Sequence, residues 1–414
     1  MNAVASLQAV DGKNSAPKSR YLILGALTLS LGTGRWGSYI PIIPGTFYFI
    51  DFLLLLAALI SFPKSLKSLA GLGYYTFIFL FIWIGFIRGS EFSFQLVVRD
   101  SAPFLYLALL PALISGVRQI QFNDFIYSIR IGAILNLAWF LPSSIGLLKP
   151  IKVSFLEVPL FTNRSDHNGI VMALGILFWS LRMNNPTRFQ RAILVLLIIG
   201  VLLSNSRASL TCLVIVLFYI FFTRRKDLIL WRSRRFLIIL VLTGITLSPI
   251  LLTNTVGKII PKESVLKRVG LFEEFSEVEQ FAKGTTYARL NAWRKVLEWS
   301  GSESNVLIGV GPGVEMVKVS GAVRYLSGNN EVRSPHNWII ACIARFGISG
   351  LLFWLIIVFA SFLRQSRENQ SAILRVSILI ICVSSLFGVI IESPFGSLPL
   401  VIFIAKLYTM RVKR

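Results

Sequence analysis

Long apolar runs separated by short polar breaks recur from residue 21 to residue 410 of the chain. A helix rises about 1.5 Å per residue, so about 20 apolar residues cross a bilayer. Lipid offers no partner to backbone amides and carbonyls, and spans of this kind are therefore helical. The runs fall at 21–33, 45–62, 72–88, 101–116, 124–147, 168–183, 190–204, 208–222, 236–254, 337–363, 373–390 and 395–410. The first of them is short, and the hairpin over 190–222 turns on Asn205-Ser206-Arg207 alone. One long polar segment, about 255–335, interrupts the series. The pattern predicts an all-α polytopic integral membrane protein of about 12 transmembrane helices with one large, partly helical loop. Its parts are a tail at 1–20, nine spans within 21–254, the loop at 255–335, three spans within 336–410, and a second tail at 411–414.

Composition agrees: 55% of residues are hydrophobic, and the mean hydropathy is +0.71. A net charge of +23 would suit a nucleic-acid binder, but here it follows topology instead. Lys64 and Lys67, then Arg182, Arg188 and Arg191, mark alternate loops. Arg224, Arg225, Lys226, Arg232, Arg234 and Arg235, then Arg364, Arg367, Arg375 and the terminal Arg411-Val-Lys-Arg, continue the series on the same side. Basic short loops stay in the cytoplasm, so both tails are expected inside and the long loop outside. The first twenty residues are polar and basic without a cleavable pattern, and read as a cytoplasmic tail. The three cysteines, 212, 342 and 382, lie in apolar runs and read as packing residues. No internal repeat supports an inverted-repeat transporter. There is no Walker motif and no acidic cluster, so neither a metal nor a cofactor is expected. Gly309-Val-Gly311-Pro312-Gly313 faintly resembles a phosphate loop, but Pro312 lacks an amide and a plain turn is the better reading.

The candidate chemistry sits where the loop meets the membrane. The chain has two histidines. One of them, His336, ends the polar segment in Arg333-Ser-Pro-His336-Asn337, just before Trp338 opens an apolar run. A neutral imidazole at such a boundary is a candidate proton acceptor. Arg207 stands between two apolar spans, with Asp166 the nearest acid upstream and Asp227 downstream on the opposite face. Snorkelling to headgroups would explain it, but a cation at the hydrocarbon edge favours an anionic ligand. Residues 285–300 read as an amphipathic helix with Leu290, Trp293, Val296 and Leu297 on its apolar face. Arg294 has Glu298 four residues on, whereas the i+4 neighbour of Arg289 is Trp293, a surface for its guanidinium while its donors meet a ligand. Arg268 is balanced by Glu273 and Glu274. Arg164 precedes Asp166-His167-Asn168, where Asp166 and Asn168 suit helix capping and Arg164 suits a substrate contact.

Ser206-Arg207-Ala208, Arg289-x-x-x-Trp293, Gly309-x-Gly311-Pro-Gly313, and Pro335-His336-Asn337 followed by Gly347-x-x-Gly350-Leu351 together resemble the O-antigen ligase superfamily. That superfamily also holds Wzy-type polymerases and some protein O-oligosaccharyltransferases. The resemblance covers roughly 160–355 by motif and the whole chain by topology. One departure is Arg345, where members often carry an acid. The resemblance implies a GT-C-like glycosyltransferase of the hexosyltransferase type in the bacterial inner membrane, its site facing the periplasm. The donor would be a glycan on undecaprenyl diphosphate, and the acceptor a lipid A–core hydroxyl or, for a polymerase, another glycan. His336, Arg289 and Arg207 would be catalytic. Arg268, Arg164, Trp293, Asn337 and Arg333 would contact substrate, with no metal or cofactor. One large late outer loop and the overall size favour ligase over polymerase. A lipid-linked glycan transporter is the third reading, and such proteins place charge nearer the midplane.

Overall fold

The computed structural model describes residues 17–65, 69–89, 91–162, 164–181, 187–204, 206–223, 286–303, 306–326, 332–363 and 370–410. The expected span 236–254, the basic cluster 224–235 and Arg268 lie outside them. Within them the chain is an all-α membrane protein. Its helices are α1 (Pro17–Ser38), α2 (Phe49–Ser65), α3 (Leu69–Arg88), α4 (Phe94–Ala108), α5 (Leu110–Val117), α6 (Phe122–Ser144), α7 (Ser165–Trp179), α8 (Arg188–Leu203) and α9 (Arg207–Thr223). After them come α10 (Thr286–Glu303), the short α11 (Met316–Val319) and α12 (Val323–Leu326), then α13 (Trp338–Leu363), α14 (Gln370–Ser384) and α15 (Pro394–Thr409). A small antiparallel hairpin, β1 (Pro41–Ile43) with β2 (Phe47–Tyr48), joins α1 to α2 and was not expected from the apolar pattern.

Among the described residues, a helix occupies most of each predicted run. By length and composition α6 and α13 suffice to cross a bilayer among the described residues, and α4 with α5, bent by 47°, would make a third span. The apolar helices α2, α3, α9, α14 and α15 are shorter. The core centres on α15, which is buried on all sides from Pro394 to Leu407 and packs on α1, α4, α5 and α14. A helix that is apolar all round has no solvent face to present, which suits this central place. Its Lys406 is buried and donates to Ile120 O.

The run expected as one span over 373–390 is helical only to Ser384. Residues 385–393 form a turn, closed by Pro394 at the first helical position of α15. This turn is the hub on which the functional end of the bundle is built.

α13 is broken at Gly347, whose backbone is left-handed (φ 68°). A break strands carbonyls and amides that hydrocarbon cannot satisfy. Here the loop ahead of α11 satisfies them. Val310 N and Gly311 N donate to Ala344 O and Arg345 O (2.8 and 2.9 Å), and Ile348 N and Ser349 N donate to Val306 O and Leu307 O (both 3.0 Å). The two backbones approach so closely that a Cβ on Gly347 would lie 2.3 Å from Leu307 O, and one on Gly309 2.5 Å from Gly347 N. The glycine motif at 309–313 is therefore a turn that docks on a broken helix.

α10 lies along the first part of α13, but on a different face from the one its leucines suggest. Ala288, Ala292 and Val296 are fully buried (0%), whereas Leu290 is 50% and Leu297 36% exposed. The buried stripe repeats every four residues and meets Ala341 and Ala344 of α13. Ser300 continues it, donating to Ala344 O at 3.3 Å. Small side chains let the two backbones approach, so packing in this region selects alanine over leucine.

Candidate functional site

His336 sits between the loop and α13, and its own backbone is left-handed (φ 57°). A non-glycine residue pays roughly 1–3 kcal/mol for such a conformation, which persists only where neighbours over-determine it. Four tethers do so. Trp293 Nε1 donates to Pro335 O at 2.8 Å. The Ser334 hydroxyl donates to Glu392 and accepts from His336 N. Asn337 Oδ1 accepts from Ile339 N (2.9 Å) and Ile340 N (3.3 Å), capping α13. Trp338 N donates to Ser385 O at 2.9 Å.

The half-buried ring meets a guanidinium. Arg164 Nη2 stands 3.3 Å from His336 Nδ1. The same side chain grips Asp166 through Nε–Oδ1 (3.1 Å) and Nη2–Oδ2 (3.2 Å). Asp166 also accepts from His167 N (3.0 Å), taking up an amide in the first turn of α7. A Cβ on Gly388 would fall 2.2 Å from Asp166 Oδ2, so the hub turn presses directly on this carboxylate. Asn168, the other expected capping residue, instead accepts from Asn136 Nδ2 at 3.2 Å. Burial first, then the Arg164 and Arg289 charges, push the imidazole of His336 down to about 4, against a partial offset from Asp166. At working pH the ring is neutral and able to accept a proton.

The other expected site residues divide into groups. Arg289 extends from α10 to the hub, its Nη1 donating to Phe387 O at 3.0 Å. Trp293, one turn on, holds Pro335 in place. Arg207 is half-buried as the first residue of α9. Ser209 in the same turn donates to Ser165 O (3.3 Å), which puts Arg207 at the end of the bundle where Arg164 begins α7. Arg333 is taken up by Asp100 at 3.3 Å, and Asn337 by its capping role. His167 is buried with its ring centroid 4.3 Å from that of Phe395, inside the bundle. Arg294 is an exposed surface partner of Glu298 at 2.6 Å, as its spacing suggests.

Behind the site lies a buried charge cluster that sequence spacing does not reveal. Arg345, 1% exposed, bonds Asp100 Oδ1 at 3.2 Å and Glu392 Oε2 at 2.8 Å. Asp100 also accepts from Arg333 and from Gly313 N (2.9 Å), and Glu392 from Ser334. Two arginines thus balance two carboxylates and tie α4, the glycine turn, the His336 loop, α13 and the hub together. Arg345, the departure noted in the sequence, braces the loop that carries His336. The signal for its partners was an acid at 100 and another at 392 beside apolar runs, since such groups are costly unless paired.

The arrangement offers a neutral imidazole flanked by guanidiniums, suited to deprotonating a hydroxyl beside an anionic group. Among the described residues no three His, Cys, Asp or Glu side chains are grouped to hold a metal ion. No curated protein matches the chain. Residues 192–355, which include Arg207, Arg289, Trp293 and His336, match the family described as O-antigen ligase.

Proposed function

We propose that this protein is an O-antigen ligase. It takes a glycan from undecaprenyl diphosphate and transfers it to a sugar hydroxyl of lipid A–core at the periplasmic face of the bacterial inner membrane. The chain would thread the membrane about twelve times in a GT-C-like arrangement, oriented by its alternating basic loops. The observation that carries the reading is the meeting of His336, which lies in the matched segment, with Arg164 upstream of it, in the field of Arg289. In this mechanism His336 takes the proton of the acceptor hydroxyl as its oxygen attacks the anomeric carbon from the face opposite the diphosphate. The bond from that carbon to the diphosphate oxygen breaks, and a single displacement inverts the centre. Arg207 and Arg289 neutralise the departing diphosphate. Their planar forks make the two-point contacts that an ammonium cannot.

Glycolipid analysis of a deletion strain tests this. Loss of a ligase leaves polymer on the lipid carrier and bare core. Single repeat units reaching the core would instead identify a polymerase. Purified protein that moves the lipid-linked glycan across a bilayer without transferring it would identify a transporter.

A further inference from the structure

The contact between Arg164 and His336 fixes more than the position of the ring. A guanidinium nitrogen is a donor only, so Nδ1, at 3.3 Å, must be the acceptor and the neutral ring must carry its proton on Nε2. The opposite tautomer would set an Nδ1–H against an Arg164 N–H, donor against donor. Nδ1 is thus the one ring nitrogen with a lone pair, and Arg164 covers it. Arg164 is itself held by the buried Asp166 carboxylate through two bonds, and Asp166 by His167 N and the packing of Gly388.

We propose that Arg164 is a positioning residue that caps the His336 lone pair and yields it when the donor's diphosphate takes the guanidinium, which couples donor binding to release of the base. The proposal rests on the function above, with His336 as base and a diphosphate as the anion. A charged, fork-shaped hydrogen bond to phosphate is stronger than one to a neutral imidazole, so the exchange runs toward the donor. Once Nδ1 is free it takes the acceptor's proton. The acceptor oxygen then bonds to the anomeric carbon, and the electron pair of the cleaved bond leaves with the lipid diphosphate. Without a donor the base stays covered, which guards the site against idle proton transfer.

The charged groups that bear on the ring are Arg164 ahead of α7, Asp166 on α7 and Arg289 on α10, with Glu392 reached through Ser334. Of the two arginines, Arg164 is the one in contact. Removing it should release the ring in a way that loss of packing alone would not.

The experiment is nuclear magnetic resonance of the full chain in lipid nanodiscs with ¹⁵N-labelled histidine. The chain has two histidines, and a His336→Gln spectrum identifies the signal. In the wild type the His336 proton should sit on Nε2. Arg164→Met alone would leave Asp166 buried and unpaired, so the companion variant Arg164→Met/Asp166→Asn keeps the site neutral. In both variants the tautomers should mix and the midpoint of titration should rise by about a unit or more. Inorganic diphosphate added to the wild type should raise the midpoint, and do so more than in the double variant. An Nδ1–H tautomer in the wild type, or an unmoved midpoint in the double variant, overturns the capping. Transfer by His336→Ala separates the two proposals. If that variant is inactive while the spectra fail to shift, the base stands and the cap falls. If it is fully active while the spectra shift as expected, Arg164 still covers the ring, but the base falls and with it the coupling to donor binding.

Discussion

Arg345→Leu tests the brace behind the site. The substitution removes the fully buried one of two positive charges facing two carboxylates. Asp100 keeps Arg333 and Gly313 N, but Glu392 keeps only the Ser334 hydroxyl. Breaking a buried ion pair by deleting one partner costs about 3–5 kcal/mol, because the charge left behind is uncompensated. Arg345→Leu/Glu392→Gln removes that charge too and leaves the neutral pair Arg333–Asp100. It should therefore recover much of the loss, with a coupling of about 2–3 kcal/mol between the two positions. The assay is thermal unfolding in detergent, with lipid-linked glycan transfer measured on the same samples. Ser334 is held by Glu392 and supports His336 N, so transfer should fall in Arg345→Leu even below the temperature at which it melts. A single variant as stable as the wild type, or a double variant no better than the single, would refute the claim that the cluster is a coupled brace.

Gly347→Ala forces a Cβ to within 2.3 Å of Leu307 O at φ 68° and should sharply lower the yield of folded protein, whereas Gly85→Ala, whose nearest neighbour would be 3.6 Å away, should be silent in the same expression assay. Arg289→Lys should lose most transfer despite keeping its charge, because the planar contact is lost, while Arg294→Ala, at an exposed pair, should transfer normally. His336→Ala should fold and insert yet lose about 10²–10⁴-fold in transfer rate. Because burial and two arginines depress His336, kcat/KM of the wild type should hold as pH falls below neutrality and drop only through a midpoint near about 4; a drop centred at 6.5 would show that the ring does not feel those charges.

How much of this was legible in the chain depends on whether the cause was local. Among the described residues the apolar runs are mostly helical, because lipid leaves the backbone a single solution, and Pro335-His336-Asn337 marked the start of α13 because Asn337 caps it through its own neighbours. On α10 the expected Val296 is buried, but Leu290 and Leu297 turn outward, because hydropathy ranks leucine above alanine while packing against Ala341 and Ala344 rewards small size. The run at 373–390 hid the hub, since a turn lined by apolar residues has the composition of a span. Arg345 shows where local reading ends. Its charge in an apolar helix announces that a partner exists, but Asp100 comes from α4 and Glu392 from the hub, and only the fold brings them within 3.2 and 2.8 Å. The same holds for the left-handed backbone at His336, which no neighbour in sequence requires and which Trp293, Glu392 and Ser385 together enforce. The residue types of the proposed site were therefore readable one at a time, whereas the setting that would let His336 act, a ring in contact with Arg164 and held by a braced loop, exists only where those distant segments meet.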